Sequence, residues 1–167
     1  STLFTRRSSD LLVQTTLLHR DSKQTEARQA AREALELART AADQELVMRC
    51  LNMLGLIQHA LADERSALEH FHESARVAEA IGDGRGLTAA LANTAMVMHA
   101  QGDRESALQV FRDILTKPHI QTNPQFRAQT RHNLAQTLWD LGRELPECAE
   151  LFKLAAAGKR ELGDRWS

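Results

Sequence analysis

Histidines with the spacing of a repeated site are the residues of this sequence that could carry chemistry. His19, His59 and His99 lie forty residues apart, and forty residues further on stands Trp139. His59 and His99 occur in two nearly identical segments, IQHALADERSAL and VMHAQGDRESAL. Because imidazole is a common metal ligand and general base, the column could be a metal site or a catalytic array. It could also be a row of ligand-binding residues, or the trace of a duplicated unit.

The forty-residue spacing argues against a shared metal ion. Members of the column lie one repeat unit apart, and packed helices are about 8–10 Å from each other. Zinc needs its nitrogen ligands about 2.0–2.1 Å from a single ion, so neighbouring members cannot share one. The sequence also contains no Cys-x-x-Cys and no His-x-x-x-His pair. We therefore predict that the chain binds no metal and no other cofactor.

Catalytic motifs are also missing from the sequence. A catalytic nucleophile needs a base within hydrogen-bond reach and a further group that orients the base. The glycine-rich segment GDGRG, residues 82–86, follows a predicted helix and lacks the lysine of a phosphate-binding loop. This segment is typical of a turn between repeats, and we predict that the chain is not an enzyme.

The composition limits the class of protein and its partners. The 167 residues are 43% hydrophobic and 26% charged, with a net charge of −1, which is typical of a globular domain. A balanced charge predicts no direct binding to nucleic acid and no basic surface for a membrane. Neither a membrane-spanning run nor a signal peptide is recognisable, and the two cysteines are predicted to be reduced, as in a cytoplasmic protein.

The forty-residue offset also aligns positions away from the histidines. Ala27, Ala67 and Ala107 share one column, and Phe71 and Phe111 follow four residues after the last two. Small residues occupy a further column, at Gly55, Ala95 and Ala135. These matches divide most of the chain into approximate units of residues 10–43, 44–83, 84–123 and 124–164.

Each unit has the pattern of two helices joined by a tight turn. Gly82, Gly102 and Gly142 come just after predicted helices, where a left-handed backbone favours a residue without a side chain. A helical hairpin of this size cannot bury its apolar face alone, so neighbouring units must stack. We expect the phenylalanines to fill the space between one hairpin and the next.

The aligned residues resemble the tetratricopeptide repeat family. The second unit matches at Leu54-Gly55, Ala67, Phe71 and Ser74, the third at Ala107 and Phe111, and the fourth at Leu134-Ala135, Phe152 and Ala155. The period and the Gly-Asp endings resemble the long-repeat subclass of bacterial regulatory proteins. The resemblance implies an all-α fold, a right-handed α-solenoid of about four stacked helix–turn–helix repeats with eight helices. We expect residues 1–167 to form a single repeat domain.

The last residues, Gly163-Asp164-Arg165-Trp166-Ser167, stand where a fifth unit would begin. Solenoid ends are normally covered by a helix with a polar outer face. Our hypothesis is that the sequence is a fragment of a longer protein. The alternative is a short protein whose open repeat ends pair with another copy, giving a homo-oligomer.

The resemblance also implies where a ligand would bind, because in this family the first helix of each hairpin lines the concave groove. Asparagine can pair with a peptide backbone as donor and acceptor, methionine adapts its shape, and tryptophan offers an aromatic surface. Counted from the column of small residues, the candidate peptide-binding groove comprises Arg49, Asn52, Met53, Leu56, His59, Asn93, Met96, His99, Gln129, His132, Asn133, Gln136 and Trp139.

Three functions remain open from the sequence. The first is an interaction module that binds a peptide or a partner segment in the groove. The second is a sensory or regulatory domain that controls a C-terminal output domain, which the resemblance implies to be of a type such as a diguanylate cyclase or a transcription activator. The third is a self-assembly module. The histidine column could in addition make ligand binding depend on pH.

Overall fold

The computed structural model describes residues 2–142 and 145–164, and within these ranges the regular structure is entirely helical. The nine helices of the described chain are α1 (Thr2–Arg20), α2 (Gln24–Thr40), α3 (Gln44–Ala60), α4 (Glu64–Ile81), α5 (Gly84–Ala100), α6 (Arg104–Thr116), α7 (Pro118–Gln121), α8 (Pro124–Asp140) and α9 (Leu145–Asp164). Helix α1 begins before residue 10, the predicted start of the first unit. Of the predicted chain end, residues 165–167 lie outside the described residues.

The helices pack as hairpins, as the repeat pattern predicts. Helix α1 packs on α2, α3 on α4, and α8 on α9, while α2 also contacts α3 and α6 contacts α8. No described helix is both long enough and apolar enough to cross a membrane.

The described chain has one helix more than the predicted eight because of a proline. Lys117 precedes Pro118 and has an extended backbone, with ψ of 135°. Proline disfavours the helical conformation in the residue before it, so α6 ends at Thr116 and the four-residue α7 begins at the proline itself.

Left-handed residues close the helices where the sequence predicts them. Gly82, Gly102 and Gly142 have φ angles of 73°, 89° and 66°, which confirms the prediction made for these glycines. Ser22 and Ala62 occupy the same position in the first and second hairpins with φ angles of 61° and 59°. The turn geometry is therefore shared by all four hairpins, although two of them achieve it without glycine.

Side-chain caps begin four of the helices, α3, α4, α6 and α8. The carboxylate of Asp63 accepts a hydrogen bond from the backbone N–H of Ser66, which satisfies one of the free donors of the first turn of α4. Hydrogen bonds from the Ser66 side chain and backbone also lower the pKa of Asp63. The same bond is made by Asp43 to Leu46, Asp103 to Ser106 and Asn123 to Phe126.

The chain divides into two compact units, residues 1–94 and 95–167, with the boundary inside α5. The core of the first unit is built largely from the alanines of α2 and the aliphatic residues of α3, with Phe71 of α4 also fully buried. A Cβ atom at Gly55 would overlap the Phe71 ring, so the glycine is what lets the ring lie directly on α3. In the second unit the core includes Phe111 and Ile114 of α6 and Leu138 of α8.

Candidate functional site

In the first unit, three of the predicted groove residues line one cavity of about 220 Å³. These are Arg49, Asn52 and Met53 of α3. Ala89, forty residues after Arg49, lines it from the equivalent position of α5, and the lining residues that were not predicted are Leu12, Thr16, Met48, Ser74 and Gly86. The wall of this cavity is therefore mostly apolar or small, with an arginine and an amide among its lining.

An asparagine pair joins α3 to α5 beside this cavity. The Nδ2 group of Asn93 donates to Oδ1 of Asn52 over 2.9 Å, and both side chains are half-buried. Arg49 is exposed and makes no ion pair with any described residue. The two asparagines thus hold each other in place, while Asn52 keeps its amide N–H groups for a ligand.

Leu56 and His59, the other predicted residues of α3, do not line this cavity. The Nδ1 atom of His59 lies 2.7 Å from Oε2 of Glu64, the first residue of α4. The ring therefore ties the end of one helix to the start of the next.

In the second unit, five predicted residues line a cavity of about 150 Å³ between α5, α6 and α8. They are Met96, His99, His132, Asn133 and Gln136, and the two lining residues that the sequence did not indicate are Phe111 and Thr137. The ring of His132 packs edge-on against that of Phe152, with centroids 5.5 Å apart and planes at 69°.

A chain of hydrogen bonds forms one wall of this cavity. The Nε2 and Nδ1 atoms of His99 lie 3.0 Å from Oδ2 of Asp140 and 3.0 Å from Oγ1 of Thr137, respectively. The Thr137 hydroxyl donates to the backbone oxygen of Asn133 over 2.8 Å. The other carboxylate oxygen of Asp140 accepts from Nε2 of Gln136 over 2.9 Å. Asn133 and Gln136 are therefore attached to a network that spans α5 and α8.

The Asp140–His99–Thr137 series has the connectivity of a catalytic triad, but its hydroxyl is not a nucleophile. Thr137 is completely buried, and its proton is engaged by the backbone oxygen of Asn133. The neighbouring backbone N–H groups belong to the interior of α8, where they are bonded within the helix and cannot stabilise an oxyanion. The arrangement therefore positions side chains and performs no acyl transfer.

His99 bonds to α8, whereas the equivalent histidines bond within their own hairpins. Gln24 stands five residues after His19, and its side-chain oxygen lies 2.8 Å from Nδ1 of that ring. Glu64 stands five residues after His59, and its carboxylate lies 2.7 Å from Nδ1 of that ring. The corresponding residue after His99 is Arg104, which can only donate. This substitution was the one sequence signal for the different partners of His99.

The two remaining predicted residues lie outside the cavity. Nε2 of Gln129 donates to Oδ1 of Asn133 over 3.0 Å and so helps to orient that amide. Trp139 is 59% exposed and does not line the cavity, although it continues the histidine column in the sequence.

Two groups have shifted acidities that bear on reactivity. Burial raises the pKa of the Cys50 thiol to about 11, although a hydrogen bond with Ser8 acts in the opposite direction. Burial and the nearby Arg127 lower the pKa of Arg131. Within residues 2–142 and 145–164, no three histidine, cysteine or acidic side chains are grouped so that they could hold a metal ion.

Comparisons with known proteins identify the fold. No protein-family model matches the sequence, and no curated protein matches it. Among solved structures, aspartyl phosphate phosphatase F from Bacillus subtilis superposes on 96% of this chain with a TM-score of 0.88 at 17% sequence identity. The TPR domain of Arabidopsis FLU superposes on 66% of the chain, and on 93% of its own length, with a TM-score of 0.63 at 19% identity. The chain has the tetratricopeptide-repeat fold.

A third structure with this tetratricopeptide-repeat fold is the Rap conjugation gene regulator of the plasmid pLS20 in complex with a Phr peptide. It matches 96% of the chain with a TM-score of 0.85 at 17% identity. The chain spans 42% of the length of the Bacillus phosphatase and 44% of that of the conjugation regulator. The predicted all-α class and repeat fold are thus confirmed, whereas the long-repeat subclass stays a prediction.

Proposed function

We propose that this chain is a protein-interaction module that binds an extended peptide or a partner segment along its first helices, α3, α5 and α8. The observation that carries the proposal is that each unit has a cavity with predicted residues of these helices in its lining, three of nine in the first unit and five of seven in the second. The cavities combine apolar walls with side-chain amides, which is the composition of sites that recognise small segments of a partner.

Amide groups near both cavities are suited to a peptide backbone. Asn52 in the first unit and Asn133 in the second each make one side-chain amide hydrogen bond and retain further donors. Such groups bind the carbonyl oxygens of an extended chain whatever its side chains are. The peptide complex of the conjugation regulator supports the same mode of action, since that protein shares the fold.

Binding rather than catalysis is proposed for the chemical role. The Cys50 thiol is fully buried and its pKa of about 11 keeps it protonated near neutral pH, so it is a poor nucleophile. Among the described residues, His99 is the only histidine that contacts both a carboxylate and a hydroxyl. That hydroxyl belongs to Thr137, which is buried and cannot act as a nucleophile.

Selection from a displayed library of random peptides tests the proposal. The purified chain should enrich peptides, and replacing Asn52 and Asn133 together by alanine should weaken their binding about tenfold or more, because two amide contacts are lost. The matched control is Gln125→Ala, at an exposed position in the first turn of α8. A melting temperature unchanged in the double variant confirms an effect on binding alone. Equal binding by the double variant, or no enrichment over an unrelated protein, would overturn the proposal.

A second candidate function is a regulatory domain whose ligand controls an output module. It is favoured by the comparison with a gene regulator more than twice as long as the matched region, which spans 44% of that chain. In this case a selected peptide should change the activity or the DNA binding of a protein that carries this chain together with a further domain. A peptide that binds such a protein without altering its output would leave the interaction module as the function.

A further inference from the structure

We infer that the cavity of the second unit binds one uncharged, ring-sized side chain of the peptide, and that Asn133 and Gln136 hold the backbone of the same residue. This cavity is the one lined by Met96, Phe111 and His132 together with the His99 network. The inference rests on the proposed function, because it specifies which residue of a bound peptide the second unit selects.

The size of the cavity fits one six-membered ring. Its volume of about 150 Å³ equals that of an engineered apolar cavity that accepts benzene. Phe111 is 2% exposed and contributes an aromatic surface, and Met96 contributes a flexible thioether that packs favourably against rings. His132 lines the cavity with its ring held in one orientation by Phe152.

The charges around the cavity disfavour a charged occupant. His99 and Asp140 are already bonded to each other, and the second oxygen of Asp140 is occupied by Gln136. An ammonium group entering the cavity would lose hydration without meeting a free carboxylate, and a carboxylate would meet only the ring of His132, which packs against Phe152. An uncharged ring loses no such hydration and buries apolar area instead.

The amides at the cavity supply the two groups that a single peptide residue needs. The Oδ1 atom of Asn133 accepts from Gln129, while its Nδ2 group has no hydrogen-bond partner in the described part of the chain. Gln136 uses its Nε2 group on Asp140, while its Oε1 atom has no partner there either. Residues three apart lie on one face of a helix, so a free donor and a free acceptor stand side by side on α8. Together they match the carbonyl and the N–H of one residue of an extended peptide.

Methyl NMR of the chain with labelled methionines measures the side-chain preference directly. Its four methionines report on both units, with Met96 at the proposed cavity, Met98 nearby, and Met48 and Met53 at the cavity of the first unit. The probes are N-acetyl-phenylalaninamide, N-acetyl-alaninamide and N-acetyl-glutamic acid amide. The phenylalanine probe should shift the Met96 signal saturably and bind about tenfold more tightly than the alanine probe, because only the ring fills the cavity. The glutamate probe should bind no better than alanine.

Variants then separate the backbone contacts from the cavity. Asn133→Ala should weaken the phenylalanine probe about three- to tenfold, read at Met96, because one amide hydrogen bond is lost. Gln125→Ala on the same helix should bind it as the wild type does. Equal affinities for the three probes, or a Met96 signal that none of them shifts, would overturn the inference. If library peptides still bind the chain in that case, the proposed function stands without the ring-selective cavity; if they do not, both fail.

Discussion

The hairpins α3–α4 and α5–α6 carry nearly the same sequence at their turns, yet they differ at positions that decide local packing. Aligned forty residues apart, the pairs are Gly55 with Ala95, Ala62 with Gly102, and Glu64 with Arg104. The first and third differences accompany different contacts of a neighbouring ring, whereas Ala62 and Gly102 both adopt the left-handed backbone of the turn. The two hairpins therefore share the same backbone pattern but differ in their side-chain contacts.

The two histidines illustrate this. His59 bonds to Glu64 within its own hairpin, whereas His99 bonds to Thr137 and Asp140 of α8. A single change from an acidic to a basic residue at the start of the second helix removes the local acceptor. The ring that closes a turn in one hairpin thus becomes a link between two hairpins in the next.

The aromatic residues differ in the same way. Phe71 lies directly on Gly55, where no side chain intervenes. The residue that corresponds to Gly55 in the next hairpin is Ala95, and there the equivalent ring, Phe111, lines the cavity of the second unit. We interpret the additional methyl group as one reason why this hairpin retains space beside its ring.

The largest expected effect comes from removing these rings. Phe71→Ala and Phe111→Ala should each reduce the free energy of unfolding by about 3–5 kcal/mol through the cavity that they leave. Phe71 should be at the upper end, because Phe111 already borders a cavity and has fewer contacts to lose. Urea denaturation measures both values. A loss near zero for Phe71→Ala would show that the ring does not hold the hairpins together.

Cys50 should make the stability of the chain depend on pH. Ala90, which occupies the same position in α5, has no group that can titrate. The folded-state pKa of Cys50 is raised from 9.0 to about 11, so folding favours the protonated thiol. This contribution to the free energy of unfolding is fully present below pH 9. It is lost as the pH rises from 9 through 11, and the total loss is about 2–3 kcal/mol. Unfolding of the wild type and of Cys50→Ala, compared across this range, measures the difference. Parallel pH profiles would contradict a raised pKa.

An intermediate effect is expected from exchanging the small residues under the rings. Gly55→Ala should destabilise the chain by about 1–2 kcal/mol, because overlap with Phe71 outweighs the gain in helix propensity. The double variant Gly55→Ala/Phe71→Leu should show a favourable coupling of at least about 0.5 kcal/mol in a mutant cycle, since the smaller side chain relieves the overlap. Additive losses would mean that the two residues are not in tight contact.

The smallest effect should come from exchanging the turn residues, with opposite signs in the two hairpins. Ala62→Gly should stabilise the chain by about 0.5–1 kcal/mol, since φ is 59° at this position, and Gly102→Ala should destabilise it by a similar amount. The expected shift in melting temperature is about 2–4 °C per kcal/mol in calorimetry. Shifts of the same sign in both variants would show that the two turns are not equivalent.

Much of the fold was predictable because it follows from local and periodic signals. Gly82, Gly102 and Gly142 marked helix ends, and the columns of alanine and phenylalanine marked the buried faces. The short helix α7 was missed because the Lys117-Pro118 break was not recognised within an otherwise continuous pattern.

The candidate site was less predictable because it depends on contacts between residues distant in the sequence. Counting along the first helices found Asn133 and Gln136, whose positions repeat with the period. The same count placed Trp139 and His59 among the groove residues, although neither lines the first-unit or the second-unit cavity described above. Phe111 and Thr137 were missed because they belong to columns whose members are buried in the other hairpins.

The amino-acid sequence by itself determined the period and the helix ends at the glycine turns, because these arise from propensity, capping and apolar periodicity within each forty-residue unit. Its aligned residues also resembled the tetratricopeptide repeat family. Only the tertiary structure decided what the repeated residues contact. His99 joins α8 and Phe111 borders a cavity because packing depends on the volume and charge of neighbours that lie in other helices.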